Sequence, residues 1–301
     1  MMNTLSKLLI NYREHKRLTQ QELVSELSQY SKDFKNINTV TISRWETGTT
    51  APSISKKQKL LHFFAQTDCF YSDTDCYYTM LSAYAELYEP LSTVFTKNYQ
   101  YLIGNFPELE LNNSHIHPLM TFSERKAHME HIVDIETATN APGYYTITPI
   151  QLEALCRHPS TFAIICERKR QHLGHFVMFK IKNSVAESVV RHKRNKYTLG
   201  VQDFCGPNEK GTFYVHALYG KNPKIAALLN VHAYIHLFKN MKTVDNVMIF
   251  SSRKDGILLT KDYGIELIAQ GRDEKYGFDW HGLMSPVEDI LFSDTVVKLV
   301  F

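Results

Sequence analysis

The chain has 301 residues, 44% of them apolar and 22% charged, with a formal net charge of +3. That length suits two ordinary domains. The near-neutral balance excludes a protein that coats nucleic acid through a global positive field, so any DNA-binding face must come from local clustering of charge. No stretch of about eighteen apolar residues is available to span a membrane, and the opening residues lack the apolar run of a secretory leader. The five cysteines (Cys69, Cys76, Cys156, Cys166, Cys205) form no CxxC pair and no disulfide framework. They read as reduced thiols in a cytoplasmic protein.

Leu5, Leu8, Leu9 and Tyr12 recur at helical spacing and predict an amphipathic helix over 5–15. Thr19 followed by Glu22 is a capping-box pattern that opens a second helix, TQQELVSELSQY. A polar stretch, SKDFKNIN, leads to TVTISRWE, where Gly48 suits the left-handed position past a helix end and Pro52 prevents continuation. KKQKLLHFFAQ predicts another helix. Residues 67–110 are rich in tyrosine and phenylalanine and predict one or two packed helices, since a free tether would leave that surface wet. Residues 112–122 read as irregular. Helices are then predicted in SERKAHMEHIVDIETATN and TPIQLEALCRH, and strands in TFAIICERK, HLGHFVMFKIKN and TFYVHALY. A long helix from Pro223, a strand NVMIFSS, a short helix DGILLTKDYG, and strands IELIAQG and TVVKLVF complete a mixed α/β pattern.

LTQQELVSEL followed by NTVTISRWETGTTAP resembles the Cro/repressor-type (XRE-family) helix-turn-helix of transcriptional regulators, over residues 5–64. The segment between its second and third helices is longer than the family's usual short turn. The resemblance implies binding of double-stranded DNA, with the third helix entering the major groove by its N-terminal end. It puts Thr39, Val40 and Arg44 toward base edges, with Thr41 and Ser43 close by. Gln20 would hold phosphate at the start of the second helix, and Thr47, Thr49 and Lys56 would touch the backbone from the far side. Ile42 and Trp45 would pack inward on Leu9 and Leu23. Glu46 would pair with Arg13 and fix the third helix in place.

The element order after residue 120 is similar to the GCN5-related N-acetyltransferase fold. Active members bind the pyrophosphate of acyl-coenzyme A on a glycine-rich loop at the start of the long helix. Here that loop reads YGKNPKIAALL, with Pro223 and Ile225 in place of the glycines. The family's usual general acid is a tyrosine four residues before the closing glycine. That glycine is Gly264 here and the tyrosine position holds Thr260, while Tyr263 is expected to point elsewhere. Both departures predict a domain kept for ligand sensing or assembly, not for catalysis. An acyl or coenzyme A derivative would then meet Tyr214, His216, Tyr219, Gly220, Lys221 and Ser251, each equally explicable as an ordinary structural residue.

His232 and His236 lie four apart on a helix, but position 233 is alanine where a zinc protease needs glutamate, so they read as packing residues. His115, His117, His128 and His131, with Glu124 and Glu130, satisfy no metal-ligand pattern. The runs Arg168–Arg170 and Arg191–Arg194 fall at strand-joining turns and read as solvated charge.

The expected protein is therefore an α+β, multidomain regulator that needs no metal or cofactor. A helix-turn-helix domain covers 1–66, an aromatic helical bridge 67–117, and an acetyltransferase-like domain with a mixed sheet 118–301. A homodimer on a roughly palindromic operator is expected, because one such module reads only a half-site. Two alternatives stay open: a DNA-associated acyltransferase, and an antitoxin-like DNA-binding partner protein.

Overall fold

A computed structural model describes residues 3–71, 73–98, 112–139, 146–252, 257, 260 and 263–301. The chain forms two compact units. One comprises Met1–Leu87 with Leu291–Phe301, and the other Tyr88–Ile290. Among the described residues no helix is long and apolar enough to cross a membrane.

The first unit is helical: α1 (Thr4–Lys16), α2 (Gln20–Tyr30), α3 (Thr39–Glu46), α4 (Ile54–Ala65) and α5 (Asp75–Ala85). Each begins at a side chain that satisfies an otherwise orphaned first-turn amide. Asn3, Thr19, Asn38, Ser53 and Thr74 accept from Ser6, Glu22, Thr41, Lys56 and Tyr77 in turn. Thr19 and Glu22 make the full reciprocal box. Gly48 takes φ of 72° directly after α3. Leu8, Leu9, Leu23, Ile42 and Leu61 are fully buried, and Trp45 nearly so, which sets the inward face of each helix. The long stretch between α2 and α3 holds its place through buried Phe34 and Ile37.

Two expectations are corrected in this unit. TVVKLVF is not a strand but the helix Asp294–Val300 (α12), packed on α4. Its β-branched residues read as extended, yet Phe292, Val296, Val297 and Phe301 are all buried at helical spacing, and packing overrides propensity. Cys69 and Cys76 are not both free thiols. A single 3₁₀ turn and the start of α5 bring their Cα atoms to 5.6 Å, and the sulfurs are bonded. Cys156, Cys166 and Cys205 remain free and buried.

The second unit is built on a seven-stranded sheet in the order β1-β2-β3-β4-β5-β7-β6. Its strands are β1 (Ile116–Pro118), β2 (Thr161–Arg168), β3 (Gln171–Ile181), β4 (Gly211–Gly220), β5 (Val244–Ser251), β6 (Leu267–Asp273) and β7 (Phe278–Pro286). Only β4 and β5 pair in parallel. The helices are α6 (Tyr88–Asn98), α7 (Arg125–Thr139), α8 (Pro149–Cys156), α9 (Asn183–Val190), α10 (Pro223–Lys239) and α11 (Val287–Leu291). Parallel neighbours need a long connection, and α10 supplies it between β4 and β5. Alternate residues face opposite layers. Val177, Phe179, Tyr214 and Met248 pack with α7 and α9, while Phe176, Met178, Val215 and Val247 face α10. On its other side α10 packs against α6.

Three elements here differ from expectation. The stretch 112–122 contains the edge strand β1, only three residues long and too short to show a period. The helix α9 and the strand β7 were not anticipated. In β7, Asp279, Trp280, His281 and Gly282 interrupt any apolar alternation. The predicted helix DGILLTKDYG lies largely outside the described residues. Of it, Ile257, Thr260, Tyr263 and Gly264 are described, and Gly264 takes φ of 71°.

Candidate functional site

The β4–β5 ladder runs only from Gly211 and Val244 to Val215 and Ile249, whereas β4 continues to Gly220. The pairing with β3 skips His216 between Val177 and Met178, a bulge in β4 that bends it at the same level. Beyond Val215 the two strands diverge. The gap opens, on the α10 side, into a cavity lined by Phe176, Val215, Leu218, Leu237 and Ile249, with Asn230, Tyr234 and Tyr263 as its polar residues. Such a wall, nearly all apolar in the surface it offers, favours an apolar group.

Tyr263 does not point elsewhere, as expected from its place beside Gly264, but forms part of this wall. Its hydroxyl lies 3.4 Å from Asn230 Oδ1, and Asn230 is held in turn by donating to the Ala226 carbonyl. Thr260 is buried and donates to the Ile257 carbonyl. The loop into α10 is equally specific. Gly220 has room for no side chain, because a Cβ there would sit 2.8 Å from the amide nitrogen of Ala226. Asn222 caps α10 through the Ile225 amide at 2.9 Å, and Pro223 occupies the first helical position. Proline there gives up only an amide that has no acceptor inside the helix. Lys221 and Lys224 flank this start and put two cations beside it.

The remaining candidate residues divide between the faces of the sheet. Tyr214 is fully buried among α7-side residues, and His216 and Tyr219 share that face. His216 is the first residue of β4 past the last β5 pair. Its Nε2 lies 3.3 Å from Glu136 Oε2 on α7, an ion-pair contact without good hydrogen-bond alignment. Glu136 also accepts from the Tyr197 hydroxyl at 2.8 Å, and Lys196 Nζ lies 3.9 Å away. Burial acts to raise the Glu136 carboxyl, but His216, Lys196 and Tyr197 together outweigh it and hold the carboxyl down at about 2. Ser251 ends β5 opposite His281. Gly220 and Lys221 lie at the start of α10, so the structure does not gather all six candidates into one pocket.

Beside this pair runs a row of imidazoles. His128 Nδ1 faces His172 Nδ1 at 2.9 Å, and His172 Nε2 faces His175 Nδ1 at 3.0 Å. Burial is the main cause that holds His172 down at about 2 and His175 at about 3, so both are neutral near pH 7. Sequence reading passed over His172 and His175, because the third imidazole of the row, His128, lies far away along the chain. His232 and His236 are packing residues. His232 contacts Asn113 and His236 stacks on Phe162 at 4.3 Å. Among the described residues no histidine, cysteine or acidic group of three or more is arranged to hold a metal.

In the first unit, the outward side of α3 shows Val40, 54% exposed, with exposed Arg44, while Thr39, Thr41 and Ser43 are half-buried. Glu46 faces inward and is gripped by Arg13 Nε at 2.9 Å and by the Gln20 amide at 2.7 Å. Gln20 is therefore tied to the base of α3. The Thr47 hydroxyl donates to the Ser43 carbonyl and sits 2.8 Å from that of Thr49. Lys56 is in the first turn of α4.

No family model and no curated relative matches this chain. Among solved structures, acetyltransferase-like folds are matched over about 57% of the chain. One likeness is an N-acyl amino acid synthase from uncultured soil microbes, at 12% identity, a TM-score of 0.40 and 90% of its own length. Another is an N-acetyltransferase from Staphylococcus aureus Mu50, at 10% identity, a TM-score of 0.37 and 96% of its length. A third is an aminoglycoside 6'-N-acetyltransferase complexed with coenzyme A, at 7% identity, a TM-score of 0.37 and 96% of its length. The expectation of a domain that does no catalysis is corrected here by the structures named as acetyltransferases among these likenesses. The two departures behind that expectation also weigh less than they did. Pro223 is an ordinary helix-opening residue, and Tyr263 lines the cleft.

Proposed function

We propose that the second unit is an acyltransferase that takes its acyl group from a coenzyme A thioester. The observation that carries this reading is the apolar cleft that opens where β4 and β5 part, with Tyr263 in its wall. An acyl chain fills the apolar wall, and Lys221 and Lys224 offer charge to the donor's phosphates. The acceptor attacks the thioester carbonyl, the carbon–sulfur bond breaks, and Tyr263 gives its proton to the departing thiolate. Dodecanoyl-coenzyme A at about a hundred times its Kd should stabilise the fold by roughly 2.7 kcal/mol and raise Tm on the order of 5 °C or more. Coenzyme A alone should do less. A melting temperature unmoved by millimolar thioester would end this reading.

The same chain carries, in our reading, a helix-turn-helix that binds double-stranded DNA as a homodimer on a roughly palindromic site. The support is the opposite facing of α3: Trp45 and Glu46 are locked inward while Val40 and Arg44 stand exposed. Arginine reads guanine bidentately and valine meets a thymine methyl. Arg44→Ala should relax preference at one base position by about 1–3 kcal/mol, measured by competition binding across a randomised site. A loss equal at every position would remove Arg44 from the base-reading role. Gln20→Ala should act differently, by loosening Glu46 and α3 together.

A further inference from the structure

The segment between α2 and α3 is longer than a helix-turn-helix needs, and it is built rather than slack. Ser31 caps a single 3₁₀ turn, Lys32–Phe34, by accepting from the Asp33 amide. The Lys35 and Ile37 amides donate in turn to the Lys32 and Phe34 carbonyls. Phe34 has no exposed surface and Ile37 very little, and the Ser28 hydroxyl of α2 donates to the Phe34 carbonyl at 3.1 Å. Asn38 then caps α3. Anchored by these two apolar side chains, the turn has a defined outward side.

That outward side is cationic. Side chains at i and i+3 of a 3₁₀ turn eclipse, so Lys32 and Lys35 leave it in the same direction. Both are exposed, as is Asn36. Asp33, the acid between them, is already paired with Lys59 of α4. No ion pair reaches either ammonium among the described residues. Like charges on one side of a turn repel, and the packing does not need them there, since Phe34 and Ile37 supply the anchoring. An anion laid across the two lysines would relieve that repulsion.

We propose that Lys32 and Lys35 grip the phosphate backbone of DNA, and that the long turn exists to deliver them. This inference rests on the reading of α3 as a DNA-binding helix. A helix that enters the major groove by its N-terminal end brings the residues just ahead of its cap to the groove's edge, where the phosphates lie. Lys35 stands three positions ahead of Asn38, the cap of α3. The lysine side chain is a flexible point charge, so it adds affinity and register without choosing bases. The labour divides locally: Val40 and Arg44 select, and the turn holds.

The test follows binding of the full chain to a duplex pool of mixed sequence, about 30 base pairs long, enough for two half-sites a helical turn apart. Fluorescence anisotropy between about 50 and 200 mM salt gives the slope of log affinity against log salt. Each phosphate contact adds about 0.9 to the steepness of that slope, and a homodimer makes each contact twice. Lys32→Gln and Lys35→Gln should therefore each lower it by about 1.8, and the double variant by about 3.6. Lys35→Arg should keep the wild-type slope. Lys7→Gln is the control for net charge and should leave the slope unchanged, since Lys7 is an exposed cation in a groove between α1 and α5 shared with Asp75 and Glu86. Both turn lysines are exposed, so their variants should melt with the wild type. Wild-type protein with no affinity for duplex DNA overturns the DNA-binding reading and this inference with it. A wild-type slope in both glutamine variants, or an equal fall in Lys7→Gln, overturns the inference alone and leaves the turn as a solvated surface.

Discussion

Lowering the pH from 7 to 4.5 is expected to cost the folded protein roughly 5 kcal/mol through two side chains alone. His172 and His175 are buried and held at about 2 and about 3, against an ordinary 6.5. Below 6.5 the unfolded chain takes up a proton at each, and the folded chain takes up neither. Their contribution is therefore fully present above 6.5 and is lost as the pH falls toward their folded values, at roughly 3 kcal/mol per pH unit for the two. His236, held at about 4 chiefly by burial, adds to the slope. Below about 4.5 the paired carboxylate of Glu136, held at about 2, pushes the same way. A typical domain has about 5–15 kcal/mol in all, so the protein should be near or past unfolding at pH 4.5. Urea titrations at pH 7, 6, 5 and 4.5 measure this directly. Stability that stays level from pH 6.5 to 5 would show that these imidazoles are not buried neutral.

Replacing Gly282 by alanine should destabilise the protein by about 3 kcal/mol or more, at the upper end of the overpacking range. Gly282 lies in β7 opposite Phe250 and Ala269, where the end of α9 crosses the strand. A Cβ would meet the Val190 carbonyl oxygen at 1.7 Å, and both sides of that contact are backbone. Neither a rotamer change nor a flexible tip can relieve it, so α9 must lift from the sheet. Gly277, in the turn between β6 and β7, is the control. It has φ of 70° and nothing within 4 Å of a Cβ, so Gly277→Ala should cost only the left-handed backbone penalty, about 1 kcal/mol. Urea midpoints for the two variants that fall together would show that close approach is not what Gly282 is for.

What the sequence showed well was local. Thr19 with Glu22 and Gly48 after α3 each announce a helix end through chemistry within four residues, and each stands where the pattern placed it. Long apolar alternation likewise marked β2, β3, β4 and β5. The failures share a different character. β1 has three residues and exists only because β2 offers it an edge, and α12 is helical because α4 supplies its burial. The candidate site was half legible. His216 was singled out from its strand, but Glu136 and His175 become its neighbours only through the packing of α7 and the register of β3. Tyr263 was dismissed by counting back from a glycine, a measure that ignores how the chain turns before reaching the cleft.

The helix α12 has a consequence for synthesis. Phe292 packs on the rings of His62 and Phe70, and Val296 and Val297 have no exposed surface. These side chains belong to the same compact unit as the first eighty-seven residues, yet some two hundred residues are translated in between. A nascent chain usually settles its leading domain first. Here the leading helices emerge from the ribosome with part of their interior missing and must wait for Leu291–Phe301 to arrive. A polypeptide stalled before residue 291 would therefore present an unfinished, greasy surface in place of a packed helical unit, which makes synthesis of 291–301 a condition for that unit to mature.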